Sequence, residues 1–149
     1  NSELRIREDA APGTMSVSVI VMDLDNFKTI NDLHGHQAGD EVLQGFSDTV
    51  RACIRKDDLF ARIGGEEFVL VLPDTNAEAA RQLAERILGE VRALQFNVQE
   101  QPVQVTVSAG VGASSEPQGF LALMRTADKA LYEAKRLGRN QVQVHWLQA

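Results

Sequence analysis

The stretch from Arg62 to Pro73, RIGGEEFVLVLP, sets two apolar runs on either side of a pair of glycines. LFARI (59–63) leads into the pair, and EFVLVLP (67–73) leads out of it. Glycine reaches positive φ at no steric cost, so Gly64-Gly65 predicts a tight hairpin turn. Pro73 ends the second strand because it cannot donate to a ladder. Consecutive strands joined this tightly run antiparallel, which argues against a purely parallel, doubly wound sheet. The turn also carries two adjacent carboxylates, Glu66 and Glu67, where any polar residue would serve.

Around the hairpin, hydrophobic periodicity predicts the other elements. VSVIVM (17–22) is apolar at nearly every position and predicts a central strand buried on both faces. Val42, Leu43, Phe46, Val50, Cys53 and Ile54 share one face of a helix. TNAE (75–78) is a capping-box sequence opening a helix with the stripe Ala79, Leu83, Ile87, Val91 and Leu94. FNVQ (96–99) and VQVTVSAGVGA (103–113) alternate apolar and polar residues, as strands with one face covered. A third helix runs through FLALMRTADKALYEAKRLG (120–138), with Leu123 and Met124 in its core and Gly138 as C-cap. QVQVHW (141–146) is a final strand. The order strand, helix, hairpin, helix, strands, helix, strand predicts an α+β chain, an α/β sandwich with helices packed on a mixed sheet.

With 149 residues, the chain suffices for one domain with a single core. A net charge of −6 supplies no global basic field for a nucleic acid polymer. The one cysteine, Cys53, excludes an internal disulfide and fits a reducing, cytoplasmic setting; on its apolar helix face it reads as inert core. No apolar run reaches membrane-spanning length, and the first residues do not form a signal peptide, so no direct membrane contact is expected. The opening NSELRIRE reads as the middle of a helix, and the chain is expected to be a fragment of a longer protein, membrane-anchored or not.

Asp23 and Asp25 follow the first strand, while Glu66 and Glu67 sit at the hairpin tip. If the strand lies beside the hairpin, Asp23 and Glu66 come within a few ångströms of each other. Two carboxylates ~4 Å apart repel by roughly 1 kcal/mol in water and several-fold more near a protein surface. Such a pair takes up a proton, recruits Arg or Lys, or binds a cation; four acids solvating a turn is the plainer alternative. Clustered hard oxygens with no facing Cys or His pair suit Mg²⁺ or Mn²⁺ over zinc. Next to them, Phe27-Lys28 opens a short helix whose free N–H groups make a natural phosphate seat. Asn31 and Asp40 flank a glycine-interrupted loop, HGHQAGD, and offer the donors and acceptors that read guanine. Lys135 and Arg139, in AKRLGRN, either complement a helix C-terminus and solvate it, or bind phosphate.

The chain resembles the GGDEF family, the catalytic domain of diguanylate cyclases. The signature stands as Gly64-Gly65-Glu66-Glu67-Phe68, a GGEEF variant. DLDNFKTIND (23–32), GHQAGDEVL (35–43), SAGVG (108–112) and ADKALYEAKRLGRN (127–140) match in the family's order, so the likeness runs from about residue 17 to 144. It implies a five-stranded, mostly antiparallel central sheet wrapped by helices, similar to the palm of nucleotidyl cyclases and polymerases. It also implies that two GTP condense into cyclic di-GMP across a transient head-to-tail homodimer, with release of two pyrophosphates. Carried over by position, Asp23, Glu66 and the Leu24 carbonyl would hold Mg²⁺ (or Mn²⁺), with Glu67 supporting the metal or deprotonating the attacking hydroxyl. Gly64 and Gly65 would let the nucleotide lie against the turn, Asn31 and Asp40 would read guanine, and Phe27 and Lys28 N–H groups, Lys28, Lys135 and Arg139 would face phosphates. Arg55 and Asp58, an RxxD ahead of the turn, and Arg86 match the family's product-inhibition site. The family's opening DxLTGLxNR segment is reduced to Asn1, which predicts weak GTP binding by this stretch alone. Two competing expectations are a catalytically silent GTP or cyclic di-GMP receptor and a palm enzyme acting on another nucleotide.

Overall fold

In order, the elements are β1 (Val17–Leu24), α1 (Phe27–His34), α2 (His36–Cys53), β2 (Leu59–Gly64), β3 (Glu67–Pro73), α3 (Ala77–Ala93), β4 (Phe96–Val98), β5 (Gln101–Val103), β6 (Val107–Ala113), α4 (Phe120–Arg136) and β7 (Val142–Trp146). They come from a computed structural model that describes residues 16–114 and 119–147. The NSELRIRE reading and Asn1 lie outside the described residues. Five strands form one sheet in the order β2-β3-β1-β6-β7, antiparallel except for the parallel β6–β7 pair. The mostly antiparallel expectation holds.

β1 is central and buried from Ser18 onward, because its alternate side chains feed two cores. Ile20 and Met22, with Phe68, Leu70 and Leu72 of β3, pack against Phe46 and Val50 of α2 and Ile87, Leu88 and Val91 of α3. Val19 and Val21, with Val69 and Val71, pack against Leu123, Ala127 and Leu131 of α4, with Met124 half-buried at the edge. Helices thus cover both faces. Cys53 is a half-buried free thiol packed against the first core, and burial pushes its pKa up, as befits an inert core residue.

Four local readings need correction. β6 is buried at all seven positions, not on one face, because Gly110 and Gly112 let α4 lie directly on the strand. A Cβ at Gly110 would stand 2.2 Å from the Leu131 nitrogen and 2.3 Å from the Ala127 oxygen. The segment before it does not continue the strand: among the described residues β4 and β5 pair only with each other. HGHQAGD is not a loop either, since α2 begins at His36 and Gly35 alone, at φ 91°, turns the chain between two helices. The capping box at Thr75 does not form. Asn76 caps α3, its Oδ1 accepting the Ala79 N–H at 2.9 Å, while Glu78 pairs with Arg81. The buried stripe of α3 accordingly runs through Ala80, Ala84, Ile87, Leu88 and Val91, leaving Ala79 exposed.

The hairpin forms as expected, with Gly64 opposite Glu67 and a register shift between Arg62 and Gly64. Only Gly65, at φ 51°, uses the left-handed freedom of glycine. At the far end, Gly138 follows α4 at φ 121°. Its N–H reaches the Lys135 carbonyl and the Arg139 N–H reaches the Ala134 carbonyl at 2.9 Å, the paired bonds of a Schellman stop. No helix among the described residues is long and apolar enough to cross a membrane.

Candidate active site at the ends of β1 and β3

The β1–β3 register sets Asp23 directly opposite Glu67, so both side chains leave the same face of the sheet. One residue on, the Leu24 N–H donates to the Glu66 carbonyl at 3.2 Å and ties the hairpin turn to the end of β1. Asp23 is 9% exposed. Burial pushes its carboxyl above the ordinary range, and the negative charges of Glu66 and Asp25 add to that. Opposing them, Lys135 in the last turn of α4 donates to Asp23 Oδ2 and forms an ion pair with it. The Glu67 carboxyl is also pushed up, first by burial, then by Asp128 and Asp23, with Lys135 again opposing and Glu66 adding a smaller push. One ammonium therefore faces a group of acids that repel each other. Such a group is short of positive charge.

Asp25, grouped with these acids by sequence, is engaged otherwise. It is 5% exposed, and its carboxylate accepts hydrogen bonds from Ser108 Oγ and Thr106 Oγ1, both at 2.6 Å, and from the Asn140 N–H at 3.0 Å. Burying a carboxylate is costly unless such donors satisfy it. Asp25 is a structural hub.

Other predicted residues lie on α1, on α2 and just beyond α4. Asn26 opens α1 in the left-handed region at φ 57° and gives its side chain to none of the first N–H groups, which leaves the turn at Phe27 and Lys28 uncapped. Phe27 is buried while Lys28 is exposed. Asn31 leans on α2 at Gly39, where an added Cβ would stand 1.9 Å from Asn31 Oδ1. Asp40, the residue after Gly39, lies on α2 and not on a loop. Among the described residues, Asn31 Oδ1 is the one buried side-chain polar atom without a hydrogen-bond partner. Asp40 also borders a groove of ≈ 430 Å³ with Leu43, Arg51, Phe60, Arg62 and Phe68. Arg139 is exposed just beyond α4.

Arg55 and Asp58 do meet, at 3.2 Å, and the Arg55 guanidinium also donates to the Pro73 carbonyl and Thr75 Oγ1, each at 2.8 Å. Arg86 sits on α3, lining a groove with Asp48, Thr49, Cys53 and Glu90. Reasoning from sequence missed Arg62, whose Nε donates to the Gly65 carbonyl at 2.7 Å and braces the turn. It also missed Thr106, Ser108 and Asn140 around Asp25. Ser108 and Asn140 stood in the SAGVG and ADKALYEAKRLGRN blocks without a role of their own, and Thr106 was only a polar position in a strand that alternates.

A cation is testable on the donor set. Asp23, Glu66 and the Leu24 carbonyl offer hard oxygens. Among the described residues no three acidic, His or Cys side chains converge to cage a metal alone. Two carboxylates and a carbonyl suit Mg²⁺, which keeps waters and takes the rest of its shell from substrate phosphates. The residues fit.

The family profile described as "Diguanylate cyclase, GGDEF domain" matches residues 2–141. The chain belongs to the GGDEF family. This GGDEF domain is 45% identical over 124 residues, 83% of its length, to the diguanylate cyclase DgcP of Pseudomonas aeruginosa, of which it covers 18%. It spans 34% of diguanylate cyclase A from Treponema denticola, at 41% identity over 85% of this chain, so it corresponds to a minor part of either relative's length. Its fold matches the GGDEF domain of DgcB from Caulobacter crescentus, solved in complex with c-di-GMP, with a TM-score of 0.87 and 31% identity, covering 96% of this chain and 86% of that one. The active GGEEF domain of a Vibrio cholerae diguanylate cyclase aligns with a TM-score of 0.81 and 37% identity, covering 97% and 87% respectively.

Proposed function

We propose that this GGDEF domain is the catalytic domain of a longer cytoplasmic signalling protein and condenses two GTP into cyclic di-GMP. The observation that carries the reading is that Asp23 stands opposite Glu67, with the Glu66 charge acting on Asp23 and Lys135 paired to it. Two protomers, head to tail, would each hold one GTP. Each 3′-hydroxyl attacks the α-phosphorus on the other protomer. A P–O bond forms there, the bond from that phosphorus to the bridging oxygen breaks, and pyrophosphate leaves.

Asp23, Glu66 and the Leu24 carbonyl would hold Mg²⁺ or Mn²⁺, which when bound draws charge from the α-phosphate and lowers the pKa of the attacking hydroxyl. Glu67, whose carboxyl is pushed up first by burial and then by the acids around it, suits the removal of the hydroxyl proton or support of the metal ligands. Lys135 turns from Asp23 to the phosphates, joined by Lys28, Arg139 and the uncapped N–H groups at Phe27 and Lys28. The Asp40 carboxylate can accept both N–H groups on the Watson–Crick edge of guanine, and the orphaned Asn31 Oδ1 is an acceptor in want of a donor.

Gly64 supports the same reading. Its φ is not in the left-handed region, and no described residue lies within 4 Å of where a Cβ would stand. No described side chain or backbone crowds position 64, whereas a nucleotide lying against the turn would need the space that a glycine leaves. Cyclic di-GMP would act back as an inhibitor at Arg55, Asp58 and Arg86, since a guanidinium both forks onto phosphate and stacks on a base.

Incubation with GTP and Mg²⁺, followed by chromatography of the nucleotides, tests the reading. Cyclic di-GMP and pyrophosphate are expected, and neither after chelation by EDTA. GTP that binds without reacting would make the domain a silent receptor. Equal turnover of ATP would make it a palm enzyme of another specificity.

A further inference from the structure

Asn140 stands at the end of a run of three residues, Gly138, Arg139 and Asn140, with φ values of 121°, 65° and 53°. Two of them are not glycine and sit where L residues are uncommon, a conformation that persists only when its surroundings over-determine it. The surroundings here are specific. The Asn140 N–H is held by Asp25 Oδ2 at 3.0 Å and Ser108 Oγ at 3.2 Å. From the other side, Arg92 of α3 donates to Asn140 Oδ1 at 2.8 Å and to its carbonyl at 3.3 Å. Asp25 is fixed in turn by the Ser108 and Thr106 hydroxyls. Between the Schellman stop and this clasp stands Arg139, whose exposed guanidinium makes no ion pair with a described residue.

We propose that Asp25 is a positioning residue: its carboxylate, with Arg92, clamps the strained 138–140 turn and so aims the Arg139 guanidinium at nucleotide phosphates. The inference rests on the reading of Arg139 as a phosphate ligand. Without an acceptor at position 25, the Asn140 N–H keeps only its longer bond to Ser108 Oγ, and the turn relaxes toward backbone angles that point Arg139 elsewhere. The two hydroxyls can turn around to accept, but an N–H can only donate. An amide at position 25 therefore keeps the clasp, by giving its oxygen to Asn140 and its NH₂ to Ser108.

The test is a binding cycle with 3′-deoxy-GTP, which lacks the attacking hydroxyl, titrated calorimetrically in Mg²⁺. Arg139→Ala is expected to weaken binding about tenfold, Asp25→Ala by about as much, and the exposed Arg92→Met by about threefold. In the Arg139→Ala background neither second substitution weakens binding further, because the group they aim is gone. Asp25→Asn stays within about twofold of the parent chain. Should Asp25→Ala fail to fold, Arg92→Met decides, since its side chain is on the surface. Effects that multiply with that of Arg139→Ala, or a folded Arg92→Met with parental affinity, would overturn the proposal. Unchanged binding by Arg139→Ala itself would instead remove the phosphate role on which it stands.

Discussion

Gly64 and Gly65 are adjacent in the signature turn, yet physical chemistry asks different things of them. Gly65 needs φ 51°, so Gly65→Ala strains the turn at a cost of about 1 kcal/mol. Gly64→Ala meets no described residue within 4 Å and needs no left-handed φ, and an alanine there restricts the unfolded chain. Its melting temperature should equal or exceed that of the parent, while GTP turnover falls at least about tenfold because a methyl group occupies the path of the nucleotide. Full turnover in a stable Gly64→Ala chain would contradict the account. Glu67 shows the same division between stability and use. A carboxyl with a higher pKa folded than unfolded binds more protons in the folded state, so stability falls as pH rises from its unfolded value through its folded one. Glu67→Gln removes that loss. In EDTA the variant should melt above the parent at about pH 7.5, and the gap should close toward about pH 4, below the ordinary glutamate pKa. A gap that is constant with pH in calorimetry would refute this assignment.

At the scale of elements, the close approach of α4 to β6 depends on Gly110 and Gly112. A methyl group at 110 would strike helix backbone, which cannot rotate aside as a side chain can. Gly110→Ala is expected to cost about 3 kcal/mol and lower the melting temperature by about 10 °C, read by calorimetry. An unchanged melting temperature would mean that α4 sits farther from the sheet. The elements themselves were largely legible: β1, the hairpin, α4 and its Gly138 stop depend on local pattern. The failures were also physical. Thr75 looked like a cap because its hydroxyl is suitable, but that hydroxyl donates to the Pro73 carbonyl and accepts from Arg55, so the cap moved to Asn76. Gly35 and Gly39 looked like a loop, yet one turns the chain and the other only makes room for Asn31.

At the scale of the molecule, the site exists only because the sheet order brings distant residues to one corner. Lys135 reaches Asp23 across 112 positions, and Asp25 takes hydrogen bonds from partners 81, 83 and 115 residues away. Local pattern cannot reveal such partners, so Asp25 looked like one more acid beside the turn until the fold gave it other work. The carboxylates of β1 and the hairpin were legible because their spacing matched a family signature, and the register then set Asp23 against Glu67. The account as a whole stands on Asp23 and Glu66 sharing one divalent ion. Its most direct test is a titration of Mn²⁺, followed by the electron paramagnetic resonance of the free ion, with 3′-deoxy-GTP present. Asp23→Asn and Glu66→Gln should each weaken the nucleotide-dependent Mn²⁺ site at least about tenfold, and the double variant should be far less than the product of the two. Mn²⁺ affinity equal to that of the parent in either folded variant would contradict it.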